Sequence, residues 1–263
     1  MSFRYTEKNR EAYQTAGLTV LQGLIPASLL SDLRHETDKA REIARSKFGP
    51  QCQRLQPVYT YEELNHQPFR DFLDLPELRK TVLEILGPGH APSEIMGVLL
   101  EPSEKPWCTN WHRDWAHHIP GLENSQIFLE AIQNLGMFNQ LNGALYEDHS
   151  LWAVPASHQR EDTEAERTAF GGVPAPGPSL PSEMSNAERE LACLAYAHQM
   201  PGATLVPLHA GDVAFYRASL WHIGNYLPYT RRATLHDGFY SSDDLAWREK
   251  MRQIQENRQS VAK

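Results

Sequence analysis

After Pro92 the chain breaks into short runs of strand character divided by turn residues, and this texture limits the folds open to it. The runs are Ile95 to Leu100, Ile127 to Ile132, Gly136 to Tyr146, Leu151 to Val154, Ala203 to Pro207, Val213 to His222 and Thr230 to Tyr240. Many short strands separated by turns build a sandwich or a barrel. The first third has a different texture. Thr6 to Ala16 favours a helix capped by Thr6 and stopped by Gly17, and Leu18 to Leu21 reads as a short strand. Leu29, Leu30, Leu33, Ala40, Ile43 and Ala44 recur at helical spacing between Pro26 and Gly49, and a further helix runs from Pro76 to Leu86.

Between Gln159 and Gly202 the strands are interrupted by a segment rich in Glu, Pro and Ala, with a helix-like run from Asn186 to Tyr196. A long insert of this kind is expected to be a lid, a binding loop or a disordered segment. Ser242 to Arg258 reads as a polar helix.

Charge narrows the function classes. The 263 residues hold 25 Lys plus Arg against 33 Asp plus Glu, a net charge of −8. The cations are scattered, so the basic stripe that nucleic acid binding needs is missing, and anionic membrane surfaces are disfavoured. The longest apolar stretch, Leu191 to Ala197, falls far short of the roughly 18 residues of a membrane span. The N-terminal residues lack the pattern of a secretion signal, so the expected compartment is a reducing cytoplasm. Cys52, Cys108 and Cys193 form no C-x-x-C pair, which indicates neither a disulfide framework nor a cysteine-based zinc site.

The chemistry concentrates in Trp111-His112-Arg113-Asp114-Trp115. On a strand, residues i and i+2 point to the same face, so His112 and Asp114 could share one metal ion. With a second imidazole they would form the facial triad that leaves open positions on Fe(II). Taken alone, H-x-D is more often an ordinary surface pair. The third ligand is sought near the far end of the chain, among His209, His222 and His236, of which His222 ends a well-patterned strand. Alternation along the following strand groups Arg231 with Ala233 and Leu235, and Arg232 with Thr234 and His236. Arg231 is therefore expected to point inward, where a guanidinium needs an anionic partner: a protein carboxylate or a bound dicarboxylate.

These residues, in their order, resemble the phytanoyl-CoA dioxygenase family of Fe(II)- and 2-oxoglutarate-dependent oxygenases. The resemblance runs through His112-x-Asp114, Asn142-Gly143-Ala144-Leu145, Trp152-Ala153-Val154-Pro155-Ala156-Ser157-His158, Gly211-Asp212, His222 and Arg231-Arg232-Ala233. It implies a chain that is mainly β with flanking helices, a double-stranded β-helix (jelly-roll, cupin-like) barrel in one oxygenase domain. The helices would span about 1–90, the barrel about 91–241, the lid-like insert about 159–202 and the last helix about 242–258.

By the same resemblance, His112, Asp114 and His222 would hold Fe(II), Arg231 would clamp the distal carboxylate of 2-oxoglutarate, and Asn142 would make a second contact to that cosubstrate. The implied reaction consumes O2, with ascorbate as a candidate reductant, and hydroxylates a C–H bond of a small molecule while forming succinate and CO2. Two departures stand out: Ala156 where the family has Gly in Pro-Gly-Ser-His, and Gly224 where it often has a Ser. The first is expected to be structural and the second removes a hydroxyl from the cosubstrate pocket.

Among the other residues, Tyr216 shares the strand face of His222, and His158 is read as structural. Arg113, Lys105, His117 and His118 are candidate receivers of an anionic substrate group, with Trp107, Trp111 and Trp115 as an apolar wall. Two alternatives stay open: a cupin-like isomerase or hydrolase that uses the metal without 2-oxoglutarate, and an inactive barrel acting as a binding module. A protein carboxylate on Arg231 would favour the first, and a misplaced ligand the second.

Overall fold

The computed structural model describes residues 3–114, 116, 126–171 and 175–261 of the chain. Its helices are α1 (Glu7–Ala16), α2 (Ala27–Phe48), α3 (Gln67–Leu73), α4 (Pro76–Leu86), α5 (Gln126–Ala131), α6 (Glu164–Phe170), α7 (Asn186–Gln199) and α8 (Ser242–Val261). At the start of α1 the Asn9 side chain accepts from the Thr6 N–H at 3.0 Å. Gly17 ends the helix at φ 80°, a conformation that costs glycine nothing. Pro76 opens α4, where its missing N–H is no loss.

The strands, in chain order, are β1 (Leu18–Leu21), β2 (Arg54–Leu55), β3 (Ala91–Pro92), β4 (Gly97–Leu100), β5 (Trp107–Cys108) and β6 (Asn139–Ala144). They continue with β7 (Leu151–Ala153), β8 (Thr204–Leu205), β9 (Val213–Arg217), β10 (His222–Tyr226), β11 (Ala233–Asp237) and β12 (Phe239–Tyr240). Two antiparallel sheets result, one ordered β1-β9-β6-β11-β4-β2 and the other β5-β10-β7-β8, with β3 and β12 as a separate ribbon.

Strand alternation assigns each face its task. In β9, Val213 and Phe215 turn outward onto the N-terminal helices, meeting Leu33, Phe69, Phe72 and Leu78. Ala214 and Tyr216 turn inward, where they join Ala144 of β6 and Leu151 and Ala153 of β7. The outer face of the smaller sheet, Trp152 and Ile223, is covered by Phe170 of α6 and by Cys193, Tyr196 and Ala197 of α7. Each fully buried side chain of this kind contributes roughly 1.5–3 kcal/mol, which is why neither outer face is left bare.

Several expectations need correction. Helix is more abundant than strand among the described residues, and the strands form two facing sheets rather than a closed barrel. The strands are short and their outer faces apolar, so helices must complete the core. Ile127 to Ile132 is not a strand: Phe128 and Ile132, four residues apart, lie on one side of α5 against Phe138, Trp247 and Met251. Val213 to His222 is two strands in different sheets, parted by the turn Ala218-Ser219-Leu220-Trp221. Thr230 to Tyr240 likewise resolves into β11 and β12. The insert packs on the outside of the smaller sheet through α6 and α7, and none of its described residues lines the cavity between the sheets. Among the described residues no helix is long and apolar enough to cross a membrane.

Candidate metal centre

The site begins as a backbone pairing. The His112 N–H donates to His222 O at 3.2 Å and the His222 N–H donates to His112 O at 3.0 Å, a one-residue antiparallel bridge. Residues opposed in this way project to the same face, and the two imidazole centroids lie 4.3 Å apart. Asp114, two residues on, donates its N–H to Ala218 O at 2.8 Å. Its carboxylate comes to 3.6 Å from His112 Nε2. One ligand atom from each of His112, Asp114 and His222 lies within 4.8 Å of the others.

The hydrogen bonds behind the rings fix their chemistry. Nδ1 of His112 is 2.7 Å from Asn110 O and Nδ1 of His222 is 2.8 Å from Leu220 O. A carbonyl can only accept, so in each ring Nδ1 carries a proton, and it is the Nε2 lone pair of the neutral ring that is left for a metal. The Gln140 amide donates to Asp114 and orients its carboxylate. Two imidazoles and one carboxylate fit divalent iron with positions to spare.

Two braces hold the ligand segments in place. Ser157 Oγ donates to Val154 O and accepts from the Trp221 N–H at 2.9 Å, while Ser219 Oγ donates to His158 O at 2.9 Å. Pro155-Ala156-Ser157-His158 therefore braces the turn that delivers His222. His158 is buried and its Nε2 bonds Gln14 O, the structural place expected for it, and burial pulls its pKa down to about 4. The second brace is Arg113, which lies between His112 and Asp114 in sequence yet turns its side chain away from them, toward Asp162. Its guanidinium is buried, 2.9 Å from Asp162, and sits over the Trp221 ring. Arg113 is thus not at the mouth, contrary to its reading as a receiver of substrate charge.

The ligands open into a cavity of about 550 Å³, within the roughly 300–1,000 Å³ usual for small-molecule sites. Asn142 lines it as expected, accepting from His236 Nδ1–H at 2.8 Å. Tyr216 lines it too, edge-on to His222 at 5.6 Å. Burial, followed by the Arg54 charge, pulls the His236 pKa down to about 3, so its ring is neutral.

Arg231 is not in the cavity. It is half exposed and pairs at 2.5 Å with Asp38 on α2, whereas Arg232 lines the cavity. The inward expectation rested on Ala233 and Leu235 marking the inner face, but those residues pack outward against the helices. The inner face of β11 is the polar one, with Arg232, Thr234 and His236. Asp148 takes Arg232 Nε at 2.9 Å and the Thr234 hydroxyl at 2.7 Å. Burial raises the Asp148 pKa, but Arg232 and the hydrogen bonds outweigh it and hold the carboxyl below its usual range. Among the described residues no hydrogen-bond partner occupies the terminal nitrogens of Arg232.

Tyr226 was missed in the sequence, although it lies on the His222 face of β10. Arg232 sits over its ring at 4.9 Å. A Cβ on Gly224 would lie 1.9 Å from the Tyr226 hydroxyl, so glycine is what admits this side chain. Gln140 could have been found from its i−2 spacing to Asn142; Arg54, discussed below, carries no such signal. Trp107 lines the cavity and Trp111 is core, while Lys105 reaches toward Ser182 O. Trp115, His117 and His118 lie outside the described residues.

No family model matches the chain, and no curated protein matches its sequence. Solved structures match its fold. EctD from S. alaskensis with bound Fe matches at TM-score 0.61 and 14% identity, over 91% of this chain and 78% of that one. The epimerase SnoN from nogalamycin biosynthesis, in complex with Fe3+, alpha ketoglutarate and nogalamycin RO, matches at 0.57 and 15%, over 90% and 83%. EvdMO1 matches at 0.59 and 16% over 89% of this chain, which spans only 49% of that one. At such identities the likeness is one of fold, and the fold is that of the Fe(II)/2-oxoglutarate oxygenases that the sequence resembles.

Proposed function

We propose that the chain is a single-domain non-heme Fe(II)- and 2-oxoglutarate-dependent oxygenase that hydroxylates a C–H bond of a small-molecule substrate. The observation that carries this reading is the convergence of His112, His222 and the Asp114 carboxylate, one ligand atom from each within 4.8 Å of the others, on the wall of the cavity between the sheets. Fe(II), when bound, would supply activation of O2 coupled to decarboxylation of 2-oxoglutarate to succinate and CO2.

The chain's own residues have separate tasks. His112, Asp114 and His222 would hold the iron, their lone pairs aimed by Asn110 O, Leu220 O and Gln140. Arg232 would hold the distal carboxylate of 2-oxoglutarate through its terminal nitrogens, its Nε being fixed by Asp148. The Tyr226 hydroxyl, beside Gly224, would donate to the same group. Asn142, tied to His236, would flank the cosubstrate. Apolar side chains such as Leu99 and Leu151 line the walls and would limit water around the reacting carbon.

One observation favours a second reading, a metal-dependent isomerase or hydrolase without 2-oxoglutarate. Both candidate arginines already have a protein carboxylate, Asp38 for Arg231 and Asp148 for Arg232. Succinate formation separates the two. With Fe(II), ascorbate and O2, the oxygenase converts 2-oxoglutarate to succinate slowly without substrate, and His222→Ala and Arg232→Gln abolish or strongly reduce it. Fe(II) held by an intact site with no succinate formed would favour the second reading.

A further inference from the structure

Among the described residues that line this cavity, Arg54 is an arginine without an ion-pair partner. It lies on the edge strand β2, opposite Leu99 of β4, and lines the cavity that holds His112, Asp114 and His222. It also borders a smaller pocket of about 220 Å³ that shares Asp114, Gln140 and His236 with the cavity, and a shallow, open groove on the surface beside Phe48 and Ile95. Among the described residues it makes no ion pair and no side-chain hydrogen bond, in contrast to Arg231 and Arg232. Its charge is felt inside: it opposes protonation of His236 more than any other charged group does.

The groove beyond Arg54 is apolar. Phe48 and Ile95, 61% and 41% exposed, are two of the few large hydrophobic side chains left in solvent, and both border it with Pro57 and Tyr61. Exposed apolar side chains gathered beside an unpaired guanidinium, at the mouth of a reactive cavity, form an amphipathic entrance. A neutral, polar substrate would gain nothing from either feature.

We propose that Arg54 anchors the substrate, which is an organic oxyanion with an apolar part. Its carboxylate or phosphate group pairs with the guanidinium at the mouth, and its apolar portion rests on Phe48 and Ile95. This inference rests on the oxygenase reading of the same site and specifies the class of molecule that reading leaves open.

The test is binding to the Fe(II)- and 2-oxoglutarate-loaded chain under anaerobic conditions, followed by calorimetry. The probes are octanoate, octyl phosphate, the neutral octanamide and the shorter butyrate. Wild type should bind octanoate or octyl phosphate roughly ten-fold more tightly than octanamide, and the stronger of the two identifies the oxyanion. Arg54→Gln should abolish that preference and Arg54→Lys retain part of it. Phe48→Ser with Ile95→Ser should narrow the gap between octanoate and butyrate. Equal binding of octanamide, anion selectivity that survives Arg54→Gln, or no binding of either oxyanion would overturn the proposal. The 2-oxoglutarate charge-transfer band of the wild-type samples reports on the oxygenase reading itself, so failure of the anchor with that band present counts against Arg54 alone.

Discussion

The guanidinium of Arg113 and the indole N–H of Trp221 converge on one carboxylate oxygen of Asp162, each at 2.9 Å. Arg113 separates His112 from Asp114 and Trp221 immediately precedes His222, so a single oxygen from the insert ties together both segments that carry the proposed ligands. Burial pulls the Arg113 pKa down to about 10 against the opposing pull of Asp162. Asp162→Asn leaves a buried cation without its counter-charge and should cost about 3 kcal/mol in urea denaturation. It should also weaken Fe(II) binding roughly ten-fold, since the ligand strands lose their common tie. Unchanged stability with unchanged metal affinity would contradict the bracing role.

Gly224 and Tyr226 form a second dependent pair. Any side chain at 224 meets the ring of the half-buried Tyr226, with its hydroxyl 1.9 Å from the added Cβ. Gly224→Ala should therefore expel Tyr226 and reduce 2-oxoglutarate affinity about ten-fold, a size expected for losing a hydrogen bond to a charged group. Pairing it with Tyr226→Ala should restore the stability lost in the single variant but not the affinity. A single variant that binds 2-oxoglutarate normally would remove Tyr226 from the site.

Ala156 stands at φ 63°, in the left-handed region, where an L side chain pays a steric cost that glycine avoids. The departure from Pro-Gly-Ser-His noticed in the sequence is thus a backbone matter. Ala156→Gly should stabilise the chain by about 1 kcal/mol, read from the denaturation midpoint at unchanged slope. A loss of stability would mean that the methyl group packs usefully.

Asp237 supplies a pH signature. It is buried, accepts hydrogen bonds from Ser93 and the Gly238 N–H, and burial pushes its pKa up to about 6. The unfolded chain releases this proton near pH 4 while the native chain keeps it until near pH 6, so the native state binds more protons and loses stability as pH rises between those values. Asp237→Asn removes the penalty. It should be more stable than wild type by about 2 kcal/mol at pH 8 and no more stable at pH 4. A difference independent of pH would contradict the raised pKa.

Much of this was legible in the sequence because it is local. Helix caps at Thr6 and Gly17, the proline at the start of α4 and the H-x-D spacing each depend on a few neighbouring residues. What misled was the rule that the apolar side of a strand faces inward. Along β11 and the residue before it neither side is bare: Ala233 and Leu235 lie beneath helices, Arg232 and His236 line the cavity, and Thr234 is buried on Asp148. Apolarity there marks the helix-covered face, and so Arg231 was assigned the place that Arg232 occupies. The turn between β9 and β10 was hidden for another reason: Ala218 to Trp221 is as buried as the strands it joins, and carries neither Gly nor Pro. Arg54 belongs to a two-residue strand and owes its position entirely to tertiary structure.

Visible absorption under anaerobic conditions tests the central claim most directly. Adding 2-oxoglutarate to the chain with one equivalent of Fe(II) should produce a metal-to-ligand charge-transfer band in wild type and in Arg231→Gln. The band should be lost in His222→Ala and should require roughly ten-fold more 2-oxoglutarate in Arg232→Gln. Tight Fe(II) binding by wild type with no band at saturating 2-oxoglutarate, or a band that survives His222→Ala, would contradict the account.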